Sequence, residues 1–465
     1  MKVEWLHVEN FRGFENRDFS FSPQFNLIIG DNGLGKTSVL EALAIAIGSW
    51  FLGIRGYDGR NIQDRDIRRE TIFTDKRFNF KTHLPVVVEA GGIVAGESIS
   101  WKRELQSDAK RAKTLFKDAI QLKTVAENAY HLARQGNLRL PLIAYYGAGR
   151  LWQVPKDTEK SAAVRKKQPQ DFDLDEGGES DAAYFTDRFV GYRYSVDNRV
   201  NPRFLMRWMA YERRSEIDEE ITSFSFRAVL MAIQRALPEV KNVRFSIRHE
   251  TLIINFNDGR VLPFSDLSDG YRNAITIIGD IAAKAGLLNS HLGKRVLDET
   301  DGVVLIDELD LHLHPRWQRR IIEDLRRTFP KIQFICTTHS PFLIQSLQSR
   351  DELIVLSDSP EKITQGEDDE DLSGNELVTD DLEHLGVEAI ASGIMGVPAD
   401  ASPRYLAMLE AAREYLAELD EAAHSPADRL ENYKQSLAKR LAPYADNPAF
   451  QAILEAERID KLGMR

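Results

Sequence analysis

Residues 30–37 read Gly30-Asp31-Asn32-Gly33-Leu34-Gly35-Lys36-Thr37, and Ser38 follows them. A glycine, four residues and then Gly-Lys-Thr is the pattern of a phosphate-binding loop. A predicted strand, Phe25–Ile29, precedes the loop, and a predicted helix from about 36 to 47 follows it. The glycines let backbone amides turn toward a phosphate, the lysine neutralises β and γ oxygens, and the threonine hydroxyl suits Mg²⁺. The pattern therefore predicts binding of ATP with Mg²⁺.

A second motif ends an apolar run. The run is Val303-Val304-Leu305-Ile306, within a predicted strand over Gly302–Ile306, and two acids, Asp307 and Glu308, follow it. This is the Walker B arrangement, in which Asp307 holds the Mg²⁺ shell and Glu308 orients the attacking water. Taken alone, such a strand could equally end in two solvated acids. The residues downstream favour the catalytic interpretation.

A histidine follows the next apolar run, Ile332–Thr337. It is His339, in the phrase Thr337-Thr338-His339-Ser340-Pro341. A lone histidine just past a core strand is more often structural. Because two phosphate-binding motifs are predicted on neighbouring strands, we expect His339 to donate to a γ-phosphate as charge builds during transfer.

A third glycine-containing phrase precedes a predicted helix from about 273 to 288. It reads Leu267-Ser268-Asp269-Gly270-Tyr271-Arg272. Serine and glycine at a helix start make an anion-binding end, although in isolation Ser268 would be only an N-cap. With the other motifs present, the phrase resembles the signature of ABC ATPases, whose serine and glycine complete the nucleotide site of a partner protomer.

Together the motifs resemble the RecF, SMC and OLD-nuclease branch of ABC ATPases. The short Leu-Asp-Leu-His-Leu-His-Pro stretch and a small helical tail are most similar to PtuA, the ATPase of Septu-type and retron-associated antiphage systems. The resemblance implies that two protomers close head to head around ATP, as a homodimer or within a higher oligomer. It also places Arg12 near the nucleotide and Asp310 in a loop that crosses the dimer interface. It is carried by the phosphate loop, the signature and three further phrases: Asn10-Phe11-Arg12-Gly13-Phe14, Asp307-Glu308-Leu309-Asp310-Leu311-His312-Leu313-His314-Pro315 and Thr338-His339-Ser340-Pro341.

The chain departs from this pattern after the predicted strand Leu140–Tyr146. A glutamine is expected there, but the sequence continues Gly147-Ala148-Gly149-Arg150, and Gln153 is a poor candidate. The role of that glutamine is therefore unassigned. His312 and His314 alternate with leucines and have no acidic or cysteine ligand set nearby, so we do not expect zinc.

The predicted fold class is α/β: an ABC-type ATPase head with a mostly parallel sheet, an antiparallel subdomain, helical insertions and a small helical C-terminal region. We predict the head over 1–357, with insertions at about 50–140 and 151–260. An acidic linker over 358–375 and a helical partner-binding region over 376–465 follow. The predicted helix from 315 to 328, between two strands, makes a βαβ unit, and a charged helix is predicted from about 108 to 135.

Bulk properties restrict the function. The 465 residues carry a formal charge of −11 and one cysteine, Cys336, and no apolar run approaches the roughly 18 residues of a membrane span. We expect a cytoplasmic protein without a disulfide framework and without a membrane partner. Nucleic acid remains an open partner, since local arginine clusters could contact phosphates.

Three functions compete: the regulatory ATPase of a nuclease complex in antiphage defence, a RecF-like repair ATPase that binds DNA directly, and a transporter subunit. The opening Asn-Phe-Arg-Gly-Phe phrase and the long insertions argue against transport. No nuclease motif is found, so the chain itself is not expected to cut nucleic acid. The PtuA resemblance implies a partner like the HNH nuclease PtuB. Apolar stripes after residue 400 could dock this partner or could pack against the chain's own head, two interpretations of equal weight.

Overall fold

The computed structural model describes residues 1–74, 77–108, 113–150, 185–198, 202–357, 382 and 385–395. The strands of this part are β1 (Lys2–Phe11), β2 (Phe14–Ser20), β3 (Phe25–Ile29), β4 (Arg69–Thr74), β5 (Arg77–Thr82), β6 (Val86–Val94), β7 (Glu97–Leu105), β8 (Leu142–Tyr146), β9 (Val240–Ser246), β10 (Thr251–Phe256), β11 (Val261–Pro263), β12 (Gly302–Ile306), β13 (Ile332–Thr337) and β14 (Leu353–Val355). The α-helices are α1 (Lys36–Ile47), α2 (Ile120–Gln135), α3 (Pro202–Asp218), α4 (Phe224–Ala236), α5 (Asp269–Leu288), α6 (Val296–Glu299), α7 (Pro315–Gln318), α8 (Ile321–Thr328), α9 (Pro341–Ile344) and α10 (Val387–Ala389).

A parallel sheet of five strands forms the centre, in the order β14-β3-β13-β12-β8. Every residue of β3, β8, β12 and β13 is buried. Strands covered on both faces read as continuous apolar runs, which is why the sequence predicted them well. The carboxyl ends of β3, β12 and β13 lie side by side, so the residues that follow them share one edge of the sheet. The predicted α/β head with a mostly parallel sheet is confirmed.

A second sheet is antiparallel, in the order β2-β1-β6-β7. Helix α1 packs between the two sheets and contacts β1, β6 and β7 on one side and β12 and β13 on the other. Ten of its twelve residues, Lys36 and Val39–Ile47, are buried. The phosphate loop at its start is therefore anchored by the core of the head.

Two predicted helices differ from the structure. The helix predicted over 315–328 is interrupted after α7, because Arg320 adopts a φ of −132° outside the helical region, and α8 begins at Ile321. The helix predicted from about 108 begins only at Ile120, because Leu115 pairs with Glu104 of β7 and the chain there runs along the sheet. At Leu115, pairing with a distant strand thus outweighs the local preference for a helix.

Residues Met1–Ile390 form one compact unit. Within it Leu382 and Ile390 are buried, and the Gln345 amide donates to the Leu385 carbonyl at 3.0 Å, so the chain at these positions belongs to the head. The predicted linker over 358–375 and the predicted tail helices after residue 400 lie outside the described residues. None of the described helices is long and apolar enough to cross a membrane.

Candidate nucleotide site

The phosphate loop runs from the end of β3 to the start of α1. Two of its glycines have backbones that a side chain would not tolerate. Gly30 has a φ of 146°, and a Cβ there would lie 2.7 Å from the Leu356 carbonyl oxygen. Gly35 has a φ of 93°, and its Cβ would lie 2.7 Å from the Phe14 ring. The loop thus packs against Leu356, the residue after β14, on one side and against Phe14 of β2 on the other, and only glycine fits at these two positions. The other loop residues are exposed or half-buried: Asp31, Asn32, Gly33, Leu34 and Ser38.

Lys36 occupies the centre of the loop. Its Nζ donates to the carbonyl oxygens of Gly30 at 2.6 Å and Asp31 at 3.1 Å. Burial lowers the pKa of this ammonium, and the nearby Asp307 carboxylate opposes that shift. The Lys36 ammonium is therefore a desolvated cation that two carbonyl oxygens of the phosphate loop hold in place.

Thr37 and Asp307 meet at the edge of the sheet. The Thr37 hydroxyl lies 3.0 and 3.2 Å from the two carboxylate oxygens of Asp307. Thr337 donates to the same carboxylate at 2.6 Å. A hydroxyl beside a buried carboxylate is a set of hard oxygen ligands, and Mg²⁺ in nucleotide sites takes one or two such ligands plus phosphates and waters. The residues present therefore fit Mg²⁺.

Glu308 lies in a left-handed turn directly after β12. Its φ is 50°, a conformation that costs a non-glycine residue about 1 kcal/mol or more. The side chain is half-buried, and its carboxylate accepts no hydrogen bond from the described residues. The Glu308 amide donates to the Thr337 hydroxyl at 2.8 Å. The strained turn thus leaves the carboxylate free to bind a water molecule.

Thr337 supports both acids and was not singled out by the sequence. We expect Thr337→Val to lower the free energy of unfolding by about 1–3 kcal/mol, because the Glu308 amide loses its acceptor. ATP turnover should fall as well, since the Asp307 carboxylate loses a donor. The matched control is Thr328→Val: Thr328 is equally buried but donates only to a helix carbonyl, that of Asp324. Denaturant unfolding and phosphate release measure both effects, and an unchanged turnover in Thr337→Val would contradict the assignment.

His339 follows β13 and is exposed. The neighbouring side chains are fixed: Thr338 donates to the Asp310 carboxylate at 2.5 Å, and the Ser340 hydroxyl caps α9 by accepting from the Phe342 amide. His339 is thus carried by a rigid turn at the same edge of the sheet as the phosphate loop. His314 has a structural task, because its Nδ1 accepts from the Arg316 amide at the start of α7.

The signature phrase stands at the start of α5. Ser268 occupies the N-cap position, is exposed, and makes no side-chain capping bond. Gly270 is buried, and a Cβ there would lie 2.5 Å from the carbonyl oxygen of His312. Close packing of α5 on the loop over 309–314, hereafter the D-loop, therefore requires this glycine. The sequence had suggested only an anion-binding helix start.

Arg12 is held on the side of α1. Its guanidinium donates to the Asp66 carboxylate at 2.7 and 2.9 Å and to Glu41 at 3.3 Å. Glu41 lies one helical turn beyond Thr37, so Arg12 is fixed near the phosphate loop by two carboxylates. Whether it also contacts the nucleotide remains a prediction.

Comparisons with known proteins find two matching family models and several similar proteins. The family described as "AAA domain" matches residues 6–225. The family described as "AAA domain, putative AbiEii toxin, Type IV TA system" matches residues 207–345. Retron Ec83 probable ATPase of Escherichia coli is 28% identical over 398 residues, which cover 75% of this chain and 70% of that protein. The chain is therefore an ATPase that is similar to these AAA-domain proteins.

Two further relatives extend the comparison. Septu protein PtuA of Bacillus thuringiensis is 26% identical over 429 residues, which cover 90% of this chain and 89% of that protein. The DNA replication and repair protein RecF of Salmonella typhi is 51% identical, but over 43 residues, or 9% of this chain and 12% of that protein. This ATPase therefore resembles PtuA and the retron ATPase along most of its length, and it resembles RecF over one short segment.

Proposed function

We propose that this ATPase regulates a partner nuclease in antiphage defence, and that two protomers must close around ATP before hydrolysis. The likeness to Septu PtuA and to a retron ATPase, which extends over three quarters or more of the chain, supports the defence role. The observation that carries the enzymatic part is the meeting of Lys36, Thr37, Asp307 and Glu308 at one edge of the parallel sheet.

In this proposal Lys36 exchanges its loop carbonyls for β and γ phosphate oxygens. Thr37 and Asp307 hold Mg²⁺, which when bound neutralises the charge that develops on the phosphates. Glu308 orients water for attack, and His339 contacts the γ-phosphate. The remaining loop residues, from Gly30 to Ser38, wrap the phosphates with their amides.

The exposed hydroxyl of Ser268 supports the proposal that two protomers form a dimer around ATP. An N-cap serine ordinarily accepts a hydrogen bond from its own helix, but the Ser268 hydroxyl makes no such bond and is exposed. The start of a helix of 20 residues, Asp269–Leu288, is thus left for an anion from outside the chain. We assign that anion to the γ-phosphate of ATP held by the partner protomer, with Ser268 and Gly270 completing its site.

The nuclease partner is tested by deleting residues 400–465 and purifying the protein with the products of its native operon. We expect ATP turnover to survive, because every residue of the nucleotide site lies within the compact unit Met1–Ile390. We expect a co-purifying HNH nuclease to be lost. The full-length chain treated in parallel is the control.

Other outcomes of this experiment are decisive too. A truncated protein that still captures its nuclease would place the docking surface elsewhere, with the insertion over 50–140 the next candidate. Capture of DNA by the full-length chain, with no protein partner and with stimulated ATP turnover, would contradict the regulatory role and favour a RecF-like ATPase.

A further inference from the structure

Arg150 is a buried arginine that the nucleotide chemistry described above does not use. It lies four residues beyond β8, where the sequence offered no glutamine, and it is 1% exposed. Its guanidinium donates to the carbonyl oxygens of Gly147 at 3.1 Å, Asp307 at 2.6 Å and Glu308 at 2.9 Å. Burial lowers its pKa to about 10, so the group is charged at neutral pH.

These bonds fix the conformation of Glu308. The Asp307 carbonyl belongs to the peptide plane before the Glu308 Cα, and the Glu308 carbonyl belongs to the plane after it. Arg150 holds both. The amides of the same two planes are held by Thr337: the Glu308 amide donates to its hydroxyl at 2.8 Å, and the Leu309 amide donates to its carbonyl at 2.9 Å. The left-handed turn is therefore pinned from both sides, which is what a strained backbone needs to persist.

The fourth bond of Arg150 leads to the signature helix. Its Nε donates to the Asn273 side-chain oxygen at 2.7 Å, and Asn273 is 2% exposed in the first turns of α5. The Asn273 amide nitrogen in turn donates to the Leu311 carbonyl of the D-loop at 2.9 Å. One continuous series of hydrogen bonds thus joins the Glu308 turn, the signature helix and the D-loop.

We propose that Arg150 is the positioning residue for Glu308, and that through Asn273 it transmits the position of the signature helix to Glu308 of the same chain. The inference rests on the proposed function, in which Glu308 supports hydrolysis and α5 engages the partner's nucleotide. When the partner's phosphate draws the start of α5, the displacement reaches the Glu308 turn through side chains buried in a low-dielectric interior. Engagement of one composite site then improves the position of Glu308 in the other.

The test compares Arg150→Lys with Arg103→Lys. Arg103 is also 1% exposed and also has its pKa lowered to about 10 by burial, but it donates to Ser49, Asn61 and Leu115, none of which the nucleotide site contains. A lysine cannot reproduce the planar fork that spans several carbonyls. We expect Arg150→Lys to lower kcat by about ten- to hundredfold with KM for ATP within about threefold. Arg103→Lys should keep the kcat of the wild type, with a comparable change in Tm.

A second variant covers the case in which Arg150→Lys does not fold. Asn273→Leu keeps the volume but removes the acceptor for Arg150 and the donor to Leu311, so kcat should fall again with KM little changed. Where both variants fold, the double variant should lose less than the product of the two single losses, because they interrupt one connection. A wild-type kcat in Arg150→Lys, losses that multiply, or equal losses in Arg150→Lys and Arg103→Lys would overturn the inference. If Glu308→Gln is inactive while both variants turn over normally, this inference fails alone; if Glu308→Gln turns over ATP normally, the proposed function fails.

Discussion

Glu308→Gln is expected to bind ATP like the wild type and to lose ATP turnover by about a hundredfold or more. The amide has the shape of the carboxylate but cannot accept the proton of the attacking water. Because the Glu308 carboxylate accepts no hydrogen bond from the described residues, its replacement leaves no buried donor without a partner. Phosphate release measures the turnover, and titration with a fluorescent ATP analogue measures the binding.

The same variant should accumulate as a closed dimer with ATP, since hydrolysis is the step that opens it. Light scattering with and without nucleotide measures this. The control is Glu323→Gln, which changes an exposed glutamate on α8 by the same atoms and should leave turnover and mass unchanged. Equal turnover by wild type and Glu308→Gln would remove Glu308 from the mechanism.

Lys36→Ala should weaken ATP binding by about a hundredfold or more and abolish turnover. The ammonium lies within 2.6 and 3.1 Å of two loop carbonyls, at the point around which the phosphate loop turns. Without it the loop offers only amide dipoles to a triphosphate. Because burial lowers the pKa of Lys36, its loss is not expected to destabilise the fold.

Lys241→Ala is the control for this substitution. Lys241 is exposed on β9, outside the nucleotide site, and its loss changes the net charge by the same amount. Isothermal titration with ATP compares the two variants. Binding of ATP by Lys36→Ala at the affinity of the wild type would place the nucleotide elsewhere.

The sequence predicted those parts of the molecule that depend on local pattern. The predicted bounds of β12 and β13 agree with the structure, because strands buried on both faces are uninterrupted apolar runs. The phosphate loop and the helix after it could be predicted because Gly30 and Gly35 stand at the two positions of the phosphate-loop pattern where the backbone requires glycine. The position of the two acids after β12 could be predicted as well, since the carboxyl ends of parallel strands meet at the same edge of a sheet.

The sequence could not predict contacts between segments far apart along the chain. Arg150 reaches Asn273 and Glu308 across more than 120 residues, and no spacing rule connects them. Thr337 was visible only as the end of an apolar run. Likewise, the reason for Gly270 is the His312 carbonyl of the D-loop, which only the folded chain brings close.

The central claim is that each nucleotide site is completed by the other protomer's signature. Lys36→Ala and Ser268→Arg should each be inactive as pure proteins, the first through its own site and the second through the site of its partner. In a mixed dimer one composite site carries both lesions and the other carries neither. Equal mixing makes half of the dimers mixed, each with one intact site, so ATP turnover should recover measurably, with a ceiling of about a quarter of the wild type. The coupling proposed through Arg150 lowers the recovery below that ceiling, because the doubly altered site does not engage the signature helix of the protomer that hydrolyses ATP. No recovery, with mixed dimers demonstrated by two affinity tags, would contradict the shared site.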